Sequence, residues 1–119
     1  MTKITFYKTE DGTYYGFRET GHSGYEDAGK DIVCSAISAM TMLIINTVEV
    51  ALGSPVDYKI DEESTDIEVI AKGALPKYEG DKKKNYAIAS LMLGYYYQLH
   101  DMLEDYYEYL DVDEQVQQI

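Results

Sequence analysis

The sequence predicts an α+β fold: a small, mostly antiparallel four-stranded sheet packed with two helices, in the order β-β-α-β-β-α. Three observations carry this expectation. Residues 3–9 and 13–20 alternate apolar and polar around Asp11-Gly12, a pair that favours a tight hairpin turn. Residues 56–61 and 66–72 are short runs rich in Val, Ile and Tyr, joined by the polar Glu62-Glu63-Ser64-Thr65. Two apolar stretches, 31–52 and 83–110, are too long for strands and repeat their apolar residues at helical spacing.

The elements follow in order. The hairpin opens the chain. Residues 21–30 hold Gly21, Gly24 and Gly29 with no hydrophobic period, and read as a loop. Asp31 then stands where a helix would begin. The helix from 31 to about 52 places Ile32, Val33, Ile37, Met40, Leu43, Ile44, Val48 and Leu52 around almost its whole circumference, which predicts burial on most sides. Gly53 and Pro55 end it. The uncharged run Ile32 to Val48 is long enough to raise the question of a membrane span. Its Ser35, Ser38, Thr41, Asn46 and Thr47, with Glu49 just beyond, favour a core helix instead. After the two strands, Gly73, Pro76 and Gly80 mark a second loop. The last helix, about 83 to 110, carries Met92, Tyr95, Tyr96, Leu99, Met102, Leu103, Tyr106 and Leu110 on one face. Tyr97, Tyr107 and Tyr109 fall off that stripe and are candidates to meet a partner chain. Residues 111–119 are polar and read as a frayed tail. The length of 119 residues fits one domain, 1–119.

The formal net charge of −12 disfavours direct binding of nucleic acid, whose phosphates an acidic surface repels. It favours basic partners. The start, Met1 to Lys8, lacks the apolar stretch of an export signal and reads as a strand. With a single cysteine and no such signal, the expected compartment is the reducing cytoplasm. His22, Cys34 and His100 match no metal-ligand spacing, and no phosphate-binding glycine motif is present, so neither metal nor cofactor is expected. His100, in the middle of the last helix, reads as a structural residue.

Cys34 cannot form an internal disulfide. It lies near the expected start of the first helix, and His22 lies twelve positions upstream on a glycine-hinged segment. A thiolate is the reactive form of cysteine. An imidazole can take the thiol proton and later give it to a leaving amine. With Asp31 as N-cap, Cys34 falls in the first turn, where unpaired amides favour an anionic sulfur and can hold an oxyanion. Asp31 can serve as that cap or orient His22. Ser38 follows Cys34 by one turn and shares its helix face, either as a small packing residue or as a group near the chemistry.

The run Gly21-His22, a glycine-containing loop, then Gly29-Lys30-Asp31-Ile32-Val33-Cys34-Ser35-Ala36-Ile37-Ser38-Ala39 resembles the signature of the ribosomal-processing cysteine protease family, Prp. Length and element order agree over essentially the whole chain. The resemblance implies a cysteine endopeptidase that removes a short N-terminal extension from a basic large-subunit ribosomal protein, number twenty-seven, in bacteria. It implies His22 and Cys34 as the catalytic pair, with Gly21, Asp31 and Ser38 in support. It also implies a homodimer with a mobile loop over 23–30, in which Ser23, Gly24, Tyr25 and Gly29 meet the substrate. One departure is Ser35, where the family usually has alanine. The acidic stretch Asp101, Glu104, Asp105, Glu108, Asp111, Asp113 and Glu114 then suits a lysine-rich substrate. The alternative reading is a non-catalytic acidic module that holds a basic ribosomal protein and leaves Cys34 inert.

Overall fold

The computed structural model describes residues 1–21 and 28–119. Strands β1 (Thr2–Lys8) and β2 (Tyr14–Thr20) form the hairpin. Helix α1 (Ala28–Asn46) follows and continues into one π-helical turn, Thr47–Ala51. Strands β3 (Asp57–Ile60) and β4 (Ile67–Ile70), a 3-10 turn (Lys72–Ala74), helix α2 (Lys82–Tyr106) and strand β5 (Leu110–Val116) complete the chain. Asp81 caps α2, its side chain accepting from the Lys83 amide at 2.9 Å.

The sheet order is β3-β4-β2-β1-β5. The fold is α+β, as the patterning predicts, but the sheet is mixed and has five strands, in the order β-β-α-β-β-α-β. The segment expected to fray is the fifth strand. β5 pairs parallel to β1, in register from Thr2↔Leu110 to Lys8↔Val116, while the other pairings are antiparallel. The pattern Leu110-Asp111-Val112-Asp113 alternates with period two, but Tyr106 and Leu110 also satisfy a helical spacing, so the last helix absorbs Leu110 on paper. In the structure α2 stops at Tyr106, and a turn in which the Tyr109 amide donates to the Tyr106 carbonyl redirects the chain. Beyond it, Gln117 donates its amide to the Lys8 carbonyl, and the Tyr15 hydroxyl donates to the Gln117 carbonyl at 2.6 Å. β1 thereby becomes an interior strand with both sides paired.

Both helices cover the same face of the sheet. Phe6 and Phe17 meet Tyr95 of α2 edge-on, and Val33, Ile37, Ile44 and Val48 of the first helical segment are buried beside them. Glu19 ties the sheet to both helices. It is fully buried, and its Oε1 accepts from Thr41 of α1 at 2.5 Å and from the Tyr95 hydroxyl of α2 at 3.1 Å.

The expectation that the first helix is buried on most sides does not hold. Its inner face is in the core, but Ile32 is 51% exposed and Leu43 59% exposed on the outer face. In a two-layer sandwich each helix has only the sheet and one neighbour to lean on, so a helix apolar all round keeps an uncovered side. The segment Asp31–Ala51 is long and apolar enough to cross a membrane by length and composition, and a third of it is buried. The groove between α1 and α2, about 440 Å³, is lined by Met40, Leu43, Ile44, Leu91, Gly94 and Tyr95.

Candidate active site

Four elements converge at the Thr2 end of β1. Thr2 pairs with Leu110 on one side, and Lys3 with Thr20 on the other. The Thr2 amide donates to the Tyr109 carbonyl at 2.9 Å, so the strand is anchored from its first residue. Thr2, Ile4 and Phe6 alternate onto the helix-covered face and are fully buried. On that face the Thr2 hydroxyl meets the sulfur of Cys34 at 3.9 Å. Cys34 is half-buried, so its sulfur is neither sealed in the core nor freely exposed.

Glycines bound this corner. Gly21 closes β2 with φ +79°, in the left-handed region, and a Cβ there would stand 2.1 Å from the Met1 carbonyl oxygen. Only glycine fits such a turn against such a neighbour. Gly21 therefore pins the backbone from which His22 departs. Gly29 lies in the first turn of α1, and a Cβ on it would come within 2.5 Å of the Tyr109 ring. Two motif glycines thus have packing reasons: one lets β2 end against β1, the other lets α1 start beneath Tyr109.

His22, Ser23, Gly24 and Tyr25 lie outside the described residues. Asp31 is exposed in the first turn of α1, three residues past its start. It is not the N-cap expected from the sequence, because the helix begins earlier, at Ala28. Cys34 accordingly sits in the second turn. At about 1.5 Å of rise per residue, the free amides at the start of α1 lie roughly a turn or more from it. They do not bear on the sulfur as the sequence reading had them do. An acidic side chain in the first turn still opposes the positive end of the helix dipole. Ser38 is exposed one turn beyond Cys34. His100 is exposed and lies against Tyr96, ring centres 4.4 Å apart, in the structural setting expected of it.

Three residues near this corner were missed from sequence: Thr2, Glu19 and Tyr109. The first two left a signal. The alternation that puts Ile4 and Phe6 inward also puts Thr2 inward, and the alternation of Phe17 and Glu19 points a carboxylate into the core. The sequence instead makes Tyr109 a candidate to meet a partner chain, because it falls off the stripe of a supposed helix; in the structure it is half-buried with its ring against Gly29. The hydroxyl of Tyr95 is held well above its usual range, first by burial and then by the Glu19 charge, so it stays a donor. The largest described cavity, about 700 Å³, lies elsewhere, among Tyr58, Lys59, Glu68, Lys72, Tyr78 and Ile119, and touches neither Cys34 nor Gly21. Among the described residues no group of three His, Cys, Asp or Glu could hold a metal ion.

Comparison with known proteins places this corner in context. The model of the cysteine protease Prp family matches residues 1–111. The chain belongs to that family. Comparison with curated protein sequences returns no match. Among solved structures, the SMU.848 protein of Streptococcus mutans is 25% identical, with a TM-score of 0.78 over 98% of this chain and 99% of that one. The essential ribosomal processing protease Prp from S. aureus, solved with a substrate peptide, is 16% identical, with a TM-score of 0.78 over 97% of this chain and 100% of its own. The same S. aureus protease with a covalently linked product peptide gives a TM-score of 0.75 at 16% identity, again over 97% and 100% of the two chains. At that identity the S. aureus likeness establishes the fold, and the match over residues 1–111 establishes membership of the family.

Proposed function

We propose that the chain is a cysteine endopeptidase in which Cys34 is the nucleophile and His22 the general base and acid, and that it removes the N-terminal extension of a basic large-subunit ribosomal protein, number twenty-seven. The observation that carries this reading is the corner itself. The family's only candidate sulfur in this chain is half-buried there, and the residue before His22 is pinned against Met1 at the same end of the sheet.

The chemistry balances simply. His22 takes the proton from Sγ, and the sulfur attacks the scissile carbonyl carbon. The tetrahedral adduct collapses by breaking the C–N bond, and the imidazolium gives its proton to the departing amine. A water molecule, deprotonated by His22, then attacks the thioester, and the sulfur leaves to regain the proton. Residues 23–27, with Ser23, Gly24 and Tyr25, would close over the extension, which limits stray proteolysis; Gly29, expected in the same loop, lies in the first turn of α1 and packs against Tyr109 instead. Asp31 supports the start of α1, and Ser38 lies beside the bound peptide.

The acidic surface supports a lysine-rich substrate, since net charge −12 steers a basic partner inward. The site of action is the cytoplasm, where ribosomes are assembled. The working form is a homodimer, and the uncovered apolar side of α1 and of the π-helical turn after it, with Ile32, Leu43 and Val50, is the surface that favours a second copy.

Incubating the extended ribosomal protein with wild type, Cys34→Ala and His22→Ala tests the reading. Wild type shortens the protein at its N-terminus. Cys34→Ala leaves it intact while keeping the wild-type circular dichroism, and His22→Ala slows cleavage by at least about a hundredfold. Wild-type turnover by Cys34→Ala would reject the assignment. Sedimentation of a particle of 13.5 kDa at micromolar concentration would reject the dimer.

A further inference from the structure

We infer that Thr2 is part of the catalytic apparatus: its buried hydroxyl donates to the Cys34 sulfur, steadies the thiolate and fixes the direction from which it attacks. The inference rests on the proposed role of Cys34 as nucleophile.

Four observations lead to it. Thr2 is fully buried, yet it is polar and occupies a position where Ile4 and Phe6, next on the same face, are apolar. Among the described residues, Cys34 Sγ is the polar atom its hydroxyl meets, at 3.9 Å, a long contact but within reach of a sulfur acceptor. Burying a hydroxyl without a partner costs free energy, so a threonine here needs the sulfur as much as the sulfur can use it. The backbone of Thr2 is held on the β5 side by the Tyr109 carbonyl and by its register with Leu110, and the next residue, Lys3, pairs with Thr20 of β2, so the hydroxyl is aimed from a paired strand rather than a loop. Finally, Cys34 sits in the second turn of α1, where the helix amides already bond to one another. Among the described residues, the Thr2 hydroxyl is the side-chain group that meets this sulfur.

The thiol and the thiolate use Thr2 differently. A neutral thiol and a hydroxyl can each donate to the other, with little preference. A thiolate can only accept, so the O–H turns toward it and the bond becomes charge-assisted. The hydroxyl therefore favours the ionised sulfur over the neutral one. Once the thioester forms, the sulfur is a poor acceptor and the bond weakens. The group thus acts on the attacking species and on the sulfur as it leaves.

The chain has one cysteine, so alkylation by iodoacetamide reads Cys34 alone. The experiment measures that rate against pH for wild type, Thr2→Val, Thr2→Ala and Thr2→Ser, with near-ultraviolet circular dichroism as the check on folding. Valine keeps the β-branch and the volume while removing the donor. The expected result is an alkylation rate at pH 7 about three- to tenfold lower in the two hydroxyl-free variants, with the profile displaced toward higher pH and kcat lowered by a similar factor at little change in KM. Thr2→Ser restores both. A purely structural threonine would move neither the pH profile nor its rescue by serine. Profiles of folded Thr2→Val and Thr2→Ala that superimpose on wild type would overturn the inference. Because alkylation needs no turnover, it scores the Thr2–Cys34 coupling even if Cys34→Ala proves to cleave substrate, the result that would remove the protease reading instead.

Discussion

The two ends of β1 are built on opposite principles. At the Lys8 end charged and aromatic side chains are tied to one another. Lys8 Nζ meets Glu114 Oε1 at 2.8 Å, the Tyr14 hydroxyl donates to the other oxygen of the same carboxylate, and Tyr96 lies 5.1 Å from Tyr14 between ring centres. The carboxyl of Glu114 is held below its usual range by the Lys8 and Tyr14 hydrogen bonds. At the Thr2 end, six residues away, the side chains are small. Gly21, Gly29, Thr2 and Cys34 bring backbone, ring and sulfur together with few charges. One end of the strand ties the sheet together through charged and aromatic groups; the other carries small side chains around the sulfur that the proposed function makes the nucleophile. Substitutions at the two ends should therefore fail in different ways: both cost stability, and only those at the Thr2 end also cost activity.

The largest effect should come from Gly21→Ala. A methyl group at that position meets the Met1 carbonyl in a backbone conformation that alanine rarely adopts. We expect cleavage of the extended ribosomal protein to fall at least about a hundredfold, and stability to fall by about 1–3 kcal/mol, measured by denaturant unfolding. Cleavage at the wild-type rate would break the link between this turn and the site.

Glu19→Leu tests what lies between the two ends. It leaves the Thr41 and Tyr95 hydroxyls buried without their acceptor, and should cost about 2–4 kcal/mol with an unchanged denaturant slope. An unaltered unfolding midpoint would mean that the carboxylate does not hold the layers together. Tyr14→Phe sharpens the contrast from the Lys8 end. It removes one donor to a partly exposed carboxylate and should cost about 1 kcal/mol, with cleavage kinetics unchanged.

The smallest effect is a matter of pH. Tyr7 is pushed up to about 12, first by burial and then by its hydrogen bond to Glu68. Its folded value lies above the unfolded value of about 10. The associated stability is present in full below about pH 10 and is lost as pH rises toward about 12. Melting temperature should fall across that window, and less steeply in Tyr7→Phe. Identical slopes for the two proteins would remove Tyr7 from the account.

How much of this was legible in the sequence depended on the kind of signal. The hairpin was readable because Asp11-Gly12 and the alternation on either side are local. β3 and β4 were readable for the same reason, within a residue or two. β5 was not, because its pairing with β1 joins Leu110 to Thr2, more than a hundred residues apart, and no local pattern declares a parallel partner. The outer face of α1 was misjudged because composition reports that a helix is apolar and not how many neighbours it has. In the candidate site, His22 and Cys34 are singled out by motif alone, while the setting of Cys34 was not legible. The helix began three residues earlier than Asp31 suggested, which replaced the helix-start amides with the hydroxyl of Thr2 as the nearest described donor.

The central claim is that this chain cleaves peptide bonds with the sulfur at position 34. Its single cysteine allows a direct measurement: treat the wild-type protein with iodoacetamide until mass spectrometry finds one carbamidomethyl group per chain, then assay the extended ribosomal protein. The account predicts that cleavage disappears in proportion to the modification. Full cleavage by the stoichiometrically modified protein would contradict it.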